Sequence, residues 1–182
     1  MTARSVKEEA PLIGSAEVER VIARLAHQIV EPQDAQRGLF IMGVRRGGEA
    51  LAVRLAEKIK ATSGTQPQLG FLNINLYRDD DVSHEMPDSL IPADVNGKTV
   101  VIVDDVLYTG RTVRSALDAV TDLGRPGAIR LCVLIDRGLR ELPVQADYAG
   151  RTIATTPEQR VVVKVGRVPS EADEVRILAG AS

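Results

Sequence analysis

Residues 104–112 hold a compact set of polar groups that could do chemistry. Two adjacent carboxylates, Asp104 and Asp105, follow the apolar run Val100–Val103, and the turn Thr109–Thr112 comes next. Hydroxyl and backbone N–H groups at the start of a helix bind anions such as phosphate. Ionised carboxylates only accept hydrogen bonds, so they suit the hydroxyls of a ribose. The segment therefore predicts a site for a sugar phosphate.

The two acids are not interpreted as a catalytic dyad. We expect the strand to end at Val103. Because successive strand side chains point to opposite faces, Asp104 and Asp105 should diverge unless the chain has already turned. The structural alternative is an acid pair that ends a strand, followed by a Thr-Gly turn. The order of strand, acids, Thr-Gly-x-Thr and helix favours the phosphosugar site.

A second candidate anion site is the segment Gly43-Val44-Arg45-Arg46-Gly47-Gly48. It joins an apolar run to a helical pattern, and two arginines beside glycines at a helix start can bind an anion. The alternative is an exposed arginine pair in a glycine-rich turn. Both this segment and the acid pair should lie at the same edge of a parallel sheet, which favours a functional role.

Alternating strand-like and helix-like patterns predict an α/β fold, a parallel sheet with flanking helices. The predicted helices are Ser15–Val30, Gly47–Lys60 and Thr112–Leu123, and the predicted strands are Leu39–Val44, Leu69–Leu76, Val100–Val103 and Ile129–Ile135. The C-terminal segment contains only short strand-like runs, Val161–Val165 and Val175–Leu178, and is expected to form a small cap. We expect residues 1–14 to be a flexible tail and 15–182 to be a single domain.

The composition is that of an ordinary globular protein. Of the 182 residues 44% are apolar and 26% charged, and the formal net charge of −2 does not by itself indicate nucleic acid. No apolar run is long enough to cross a bilayer, so no membrane association is expected. Cys132 is the only cysteine and lies in an apolar run, which predicts a buried thiol and a cytoplasmic protein.

Several motifs in this chain resemble those of one known family. Val101–Val113 is similar to the phosphoribosyl-pyrophosphate (PRPP) motif of type I phosphoribosyltransferases, in the version found in the PyrR family. That family comprises pyrimidine operon regulators with uracil phosphoribosyltransferase activity. The other matching segments are Leu76–Asp80, Leu123–Pro126, Asp136–Gly138, Arg140–Pro143 and Ala146–Tyr148 with Gly150. The resemblance spans residues 16–168 and implies the type I phosphoribosyltransferase fold.

The resemblance implies an enzyme that transfers ribose 5-phosphate from PRPP to uracil, giving UMP and pyrophosphate. It implies Mg²⁺ carried by PRPP near Asp104 and Asp105, with no metal site made by the protein alone. It places PRPP on Asp104, Asp105, Val106, Leu107, Tyr108, Thr109, Gly110, Arg111 and Thr112. Pyrophosphate would meet Arg45 or Arg46, and which of them remains open.

The resemblance also assigns the base and a loop. Uracil would lie beside Asp136 and Arg137, where the backbone reads the base and Arg137 either contacts it or only braces the loop. The catalytic residues would be Arg78, Asp104 and Asp105. Arg78 begins a charged, irregular stretch, residues 78–92, that is expected to close over PRPP during the reaction.

The choice of base is open within the enzyme class. The purine branch of the superfamily carries an acid where this chain has Tyr108, which argues against hypoxanthine and guanine. Orotate and adenine remain as competitors of uracil. A homodimer or larger homo-oligomer is the expectation from the family.

A second hypothesis is an RNA-binding regulator that responds to UMP and binds the leader of pyrimidine mRNA, with vestigial catalysis. Arg24 and His27 match positions on the family's first helix that face RNA, although His27 could equally be a solvated side chain. Leu139 and Gln145 replace a histidine and an arginine associated with RNA contact. Because basic groups supply the attraction to phosphates, we expect weak RNA binding.

Overall fold

The apolar runs and helical patterns of the chain form a parallel sheet with helices on both faces. The computed structural model describes residues 11–32, 38–75 and 89–179. In these ranges the helices are α1 (Ser15–Val30), α2 (Glu49–Ser63) and α3 (Arg111–Asp122), and the parallel strands are β1 (Leu39–Val44), β2 (Gln68–Leu72), β3 (Thr99–Leu107), β4 (Ala128–Asp136) and β5 (Tyr148–Thr152). The strand order is β2-β1-β3-β4-β5. The predicted α/β fold class is confirmed.

Side chains of the central strands alternate between two apolar layers. Helices α1 and α2 cover one face, where they pack on residues such as Val101, Val103 and Cys132. Helix α3 covers the other face and packs on residues such as Val100 and Ile102. A parallel sheet buried on both faces needs apolar residues at every position, which explains the unbroken apolar runs in the sequence.

Strand β3 is longer than the sequence indicates. It was expected to end at Val103, but it continues through both acids to Leu107. Pairing with β4 continues as well, since Asp104 lies opposite Val133 and Leu107 opposite Asp136. The backbone hydrogen bonds of a central strand outweigh the low strand propensity of aspartate. The acids therefore belong to the sheet itself and not to a turn beyond it.

Two predicted boundaries move for local reasons. Helix α2 begins at Glu49 rather than Gly47, because Arg46 has a left-handed backbone with φ 77° and a turn occupies residues 45–48. Strand β2 ends at Leu72. The Asn73 amide donates to Ser89 Oγ at 2.9 Å, and its side chain accepts the amide of Asn75, so the backbone leaves the ladder there.

The C-terminal segment contributes more than the expected cap. Strand β5 at the sheet edge was not predicted, because an exposed edge strand with Gly150 lacks an apolar pattern. Strands β6 (Arg160–Lys164) and β7 (Glu174–Leu178) form a separate antiparallel hairpin, which is the cap. Ile13, expected in a flexible tail, is instead 1% exposed and pairs with Val175 of this hairpin. Residues 1–10 lie outside the described ranges.

Two expectations from composition can be examined in the same structure. Cys132 is completely buried in β4, and burial raises the pKa of its thiol to about 12, so it is an unreactive core residue. Among the helices that the structure describes, none combines the length and apolarity required to cross a bilayer.

A buried arginine attaches the hairpin to the helices. Arg54 of α2 is 1% exposed, and its guanidinium donates to Asp173 Oδ2 at 2.5 Å and to Glu19 of α1. Burial alone would raise the pKa of Asp173, but hydrogen bonds from the Gly166 amide, Arg54 and the Ser170 amide outweigh it and lower that pKa. Helix α1, helix α2 and the hairpin thus share one ionic network.

We predict that Arg54→Met lowers the free energy of unfolding by about 3–5 kcal/mol, because it leaves a buried carboxylate without its cation. Urea unfolding at pH 7 measures this loss. A matched control is Arg151→Gln, which breaks the exposed pair with Glu17 and should cost only about 0–1 kcal/mol. Asp173 has a lowered pKa, so its contribution is present above its unfolded-state pKa and is lost as the pH falls through the folded-state value. Equal losses in the two variants would contradict the assignment.

Candidate functional site

The polar groups picked out in the sequence meet in one cavity at the carboxyl ends of β1 and β3. Its volume is about 340 Å³. The lining residues are Val44, Arg45, Arg46, Gly47, Ile74, Asn75, Asp104, Asp105, Val106 and Thr112. The arginine pair (Arg45 and Arg46), the acid pair (Asp104 and Asp105) and one hydroxyl of the predicted phosphate turn therefore share one space, as the parallel-sheet argument predicts.

Two glycines allow the turn after β1 to lie directly against β3. A Cβ at position 48 would overlap the carbonyl oxygen of Val103. A Cβ at Gly47 would lie 2.5 Å from Asp105 Oδ1 and 2.6 Å from Asp104 Oδ1. Only glycine permits so close an approach. The arginine pair, which precedes Gly47, is thereby held beside the acids.

The two carboxylates of the acid pair converge, so the expected divergence is wrong. The Oδ1 atom of Asp104 accepts the amide of Asp105 at 2.9 Å, and the Oδ1 atom of Asp105 accepts the amide of Val106 at 2.7 Å. Each short side chain folds back along its own backbone, and both Oδ1 atoms lie close to the point where a Cβ of residue 47 would stand. Asp104 is 6% exposed. Both acids thus present acceptors to one cavity.

The ionised carboxylate of Asp105 is electrostatically costly. Burial raises the pKa of Asp105 above its ordinary value, and the hydrogen bonds that it accepts from Val106 and shares with Asp104 offset this only in part. A carboxylate held in this way gains when a ligand supplies hydroxyl donors or a cation. The ionised carboxylate is therefore more stable with a ligand bound than in the empty site.

Residues 108–112, which we call the hydroxyl loop, lead into α3. Gly110 has φ 96° and is the N-cap of the helix, where it has no side chain to cap the backbone, and the amide of Arg111 donates to Thr109 Oγ1 at 3.5 Å. A Cβ at this position would overlap Val144, so glycine is required by both conformation and packing. Thr112 lines the cavity, whereas Arg111 is exposed and pairs with Glu141 at 2.8 Å. The helix start thus offers amides and a hydroxyl to an anion.

The members of the arginine pair have different surroundings. Arg45 donates to Glu49 at 2.7 Å, and its guanidinium lies 5.8 Å from the ring centre of Phe71. Arg167 from the hairpin turn approaches the same two partners, Glu49 at 3.7 Å and Phe71 at 5.5 Å. Arg46 is exposed and has a left-handed backbone, a strain that proteins keep mostly at functional sites. Arg45 is thus engaged by the protein, while Arg46 faces the solvent side of the cavity.

Asp136 closes β4 at the same edge of the sheet. Its Oδ1 accepts the amide of Gly138 at 3.0 Å, and its Oδ2 accepts a hydrogen bond from Arg140 at 2.6 Å. These bonds fix the turn after β4. The carboxylate itself is occupied by these two bonds, and the amide of Arg137 donates to the carbonyl of Leu107.

Arg137 is held by the protein on several sides. It is 5% exposed, and its guanidinium lies 4.1 Å from the ring centre of Tyr108. It donates to Thr155 Oγ1 at 3.0 Å and to the carbonyl oxygens of Thr156 and Gln159. Of the two roles left open by the sequence, these contacts favour the brace.

The remaining predicted residues lie outside the cavity or outside the described ranges. Arg24 and His27 are exposed on α1, and Arg24 donates to the carbonyls of Ala149 and Gly150 in β5. Arg78 lies in the stretch 76–88, which is not described. The sequence predicted no separate role for Arg140, which was named only as part of the segment Arg140–Pro143 that resembles the family.

Comparison with known proteins identifies the family. The model of the phosphoribosyl transferase domain matches residues 14–167. A bifunctional protein PyrR from Chloroflexus aurantiacus is 45% identical over 178 residues, which is 96% of this chain and 97% of that protein. One from Thermus aquaticus is 45% identical over 90% of this chain and 92% of that protein. This chain belongs to the PyrR family of phosphoribosyltransferases.

Solved structures agree on the fold. A hypoxanthine-guanine phosphoribosyltransferase from Bacillus anthracis matches with a TM-score of 0.68 and 23% identity, covering 86% of this chain and 88% of that one. A hypoxanthine phosphoribosyltransferase from Staphylococcus aureus matches with a TM-score of 0.68 and 21% identity, over 85% of this chain and 81% of that one. At this level of sequence identity the likeness establishes the fold of this chain but not which base it uses.

We predict that Asp105→Asn raises the melting temperature at pH 7. Its raised pKa means that the ionised carboxylate costs stability once the pH exceeds its unfolded-state pKa, and the amide removes that charge. The difference from the wild type should vanish below about pH 3.9, where the carboxyl is protonated in both states. Asp118→Asn, on the exposed face of α3, is the control and should have little effect. An unchanged or lower melting temperature at pH 7 would refute the cost of this charge.

Proposed function

We propose that this protein is a uracil phosphoribosyltransferase that converts uracil and PRPP into UMP and pyrophosphate. The observation that carries the proposal is the cavity in which the acid pair, the arginine pair and Thr112 converge. Relatives named bifunctional protein PyrR, at 45% identity over nearly the whole chain, support the same function. The placement of each substrate group follows from the chemistry of the groups that line the cavity.

Each part of PRPP has a matching set of donors or acceptors. The ribose hydroxyls donate to Asp104 and Asp105, whose acceptor atoms converge. The 5′-phosphate lies on the amides and hydroxyls of the hydroxyl loop at the start of α3. Pyrophosphate lies against Arg46, because Arg45 is already paired with Glu49. This arrangement holds the sugar between its two charged groups.

The reaction mainly requires orientation and charge stabilisation. As pyrophosphate departs, the sugar carbon becomes cation-like and negative charge grows on the leaving group. The carboxylates of the acid pair hold the ribose and face the cationic carbon, while Arg46 receives the departing charge. Holding both reactants in line supplies much of the acceleration. No general base is assigned among the described residues.

The acid pair also fits the Mg²⁺ that the family uses with PRPP. The described residues contain no group of three or more histidine, cysteine, aspartate or glutamate side chains that could hold a metal. Mg²⁺ commonly binds through one or two carboxylates plus substrate phosphates, and two convergent Oδ1 atoms suit that mode. When bound, Mg²⁺ neutralises charge on the pyrophosphate. Asp104 and Asp105 would be its protein contacts.

Uracil lies beside the turn that follows β4. The carbonyl oxygens of Arg137 and Gly138 already accept from Thr155 Oγ1 and Arg140, but a carbonyl has two lone pairs, so each can still accept a ring N–H of the base. Tyr108 stands where purine enzymes of the superfamily carry an acid, and it stacks against Arg137. A cytoplasmic location and a homo-oligomeric state remain predictions.

We predict that the purified protein forms UMP from uracil and PRPP, and that EDTA abolishes this turnover. Orotate, adenine and hypoxanthine should react at least about 100-fold more slowly, since a site that hydrogen-bonds one base leaves its polar groups unpaired with another. Product formation is followed by chromatography with the four bases side by side. Equal turnover of a purine or of orotate would refute the choice of base.

A matched pair of variants shows whether this turnover uses the described cavity. Thr112→Val removes a lining hydroxyl and should raise the KM for PRPP by roughly 3- to 10-fold, as expected for one lost hydrogen bond. Thr121→Val is the control. The Thr121 hydroxyl lies near the other end of α3 and donates to the carbonyl of Asp118 in the same helix, so its removal should leave the kinetics unchanged. Equal kinetics in both variants would place the phosphate elsewhere.

A second activity, RNA binding, is favoured by one observation. Arg24 and His27 are exposed side by side on α1, at the positions that the family resemblance assigns to RNA. Arg24 also donates to β5, to Ala149 at 3.4 Å and to Gly150, which leaves less of its donor capacity for a phosphate. Leu139 and Gln145, at the other positions that the resemblance associates with RNA contact, carry no charge. We therefore propose weak RNA binding beside the enzyme activity.

We predict that a pyrimidine-leader RNA binds weakly at physiological salt, and that Arg24→Gln weakens it further. Removing one phosphate contact should also reduce the slope of log affinity against log salt by about 1. The measurement is a filter-binding titration with and without UMP, with Arg130→Gln on β4 as the control arginine. Tight, sequence-specific binding enhanced by UMP would make regulation the primary function.

A further inference from the structure

The hydroxyl loop is held from one side by a single neighbouring segment. Residues 137–144, which we call the brace segment, donate to three consecutive carbonyl groups, those of Leu107, Tyr108 and Thr109. The donors are the amide of Arg137 at 3.1 Å, Nη1 of Arg140 at 2.9 Å, and the amides of Glu141 and Leu142 at 2.9 and 3.0 Å. Gly110 then packs against Val144 of the same segment. Consecutive loop residues are thus fixed one by one.

These bonds matter for anion binding because carbonyl oxygens repel phosphate. A carbonyl directed into the site would place partial negative charge against the ligand. Here the carbonyls that precede α3 are turned to the brace segment and occupied there. The Thr112 hydroxyl and the first-turn amides after that of Arg111, which donates to Thr109 Oγ1 at 3.5 Å, are left to face the anion. The brace segment therefore determines which face of the loop the ligand meets.

Arg140 is the side chain at the centre of this arrangement. Besides Tyr108, its guanidinium donates to the carbonyl of Gly138 at 3.0 Å, to Asp136 Oδ2 at 2.6 Å and to the carbonyl of Val144 at 3.1 Å. It is partly buried, with 21% of the side chain exposed. One group thus joins the hydroxyl loop to the turn after β4.

We propose that Arg140 is a positioning residue that holds the phosphate loop and the base turn in a fixed relation. The proposal rests on the proposed function, in which the hydroxyl loop binds the 5′-phosphate and the Asp136–Gly138 turn reads the base. Arg140 touches neither substrate. It fixes the distance between the two groups that must meet when the bond to the sugar forms, and such alignment is a main source of rate.

The geometry requires arginine rather than any cation. A guanidinium presents five donors in a plane, whereas a lysine ammonium presents three donors on a flexible stem. Lysine at position 140 can keep the ion pair with Asp136 but cannot span Tyr108, Gly138 and Val144 together. The two substitutions Arg140→Lys and Arg140→Gln therefore separate charge from geometry.

The experiment compares wild type, Arg140→Gln, Arg140→Lys and Arg130→Gln. Arg130 is a matched arginine on the same strand as Asp136, and its contact with Asp147 is partly exposed at 3.8 Å. Steady-state kinetics give kcat and KM for PRPP and uracil. Amide hydrogen exchange of residues 108–112 in the ligand-free protein and titration with ribose 5-phosphate give readouts that need no turnover.

We expect Arg140→Gln to lower kcat/KM for PRPP by about 10- to 100-fold, the loss typical of a charge-assisted hydrogen bond. In Arg140→Gln, amide hydrogen exchange in the hydroxyl loop should rise and ribose 5-phosphate should bind more weakly. Arg140→Lys should give values between those of Arg140→Gln and the wild type, and Arg130→Gln should match the wild type. Wild-type kinetics and loop exchange in a folded Arg140 variant would overturn the proposal, even if its melting temperature fell.

Two further outcomes are separated by this design. If Arg140→Gln does not fold, Arg140→Lys carries the same test with the ion pair retained. If the wild type turns over no base with PRPP, the proposed function fails, and loop exchange and ribose 5-phosphate affinity still decide the role of Arg140. Unchanged values of both in the variants would count against it.

Discussion

The arrangement of the site depends on one close backbone contact, between the turn after β1 and the end of β3 that carries the acid pair. Gly48 lies against the Val103 carbonyl and Gly47 against the carboxylates of the acid pair, with no space for a Cβ at either position. This contact brings arginines from one strand end and aspartates from its neighbour to a single cavity. A larger residue at either position would separate the two halves of the site, because a sheet buried on both faces cannot easily shift.

That contact carries an electrostatic cost in the empty site. Burial raises the pKa of Asp105, so its ionised carboxylate works against folding until a ligand supplies donors or a cation. Arg46 is kept in a left-handed backbone conformation beside it. Such local strain persists where the surrounding structure fixes it, and it is typical of binding sites. Stability comes from elsewhere, from the two apolar layers and from the Arg54 network.

The fold is shared with purine enzymes, so the choice of substrate depends on a few side chains. Structures of hypoxanthine-guanine phosphoribosyltransferases match most of the chain at only 23% identity or below. In this chain the hydroxyl loop and the turn after β4 are joined by two contacts: Tyr108 stacks on Arg137, and Arg140 donates to the carbonyl of Tyr108. In the proposed function, these contacts join the segment that binds the 5′-phosphate to the turn that lies beside the base.

The sequence by itself determined the α/β class, all three helices, four of the five sheet strands that the structure describes and the family, because apolar periodicity and contiguous motifs are local. Only the tertiary structure decided the continuation of β3 through Asp104 and Asp105, their convergence on Gly47, and the position of β5. It also engaged Arg45 with Glu49 and made Arg137 and Arg140 internal braces. These outcomes depend on partners distant in sequence, such as Gly47 for the acids and Tyr108 for both braces, and no local pattern records which distant groups will satisfy a given polar atom.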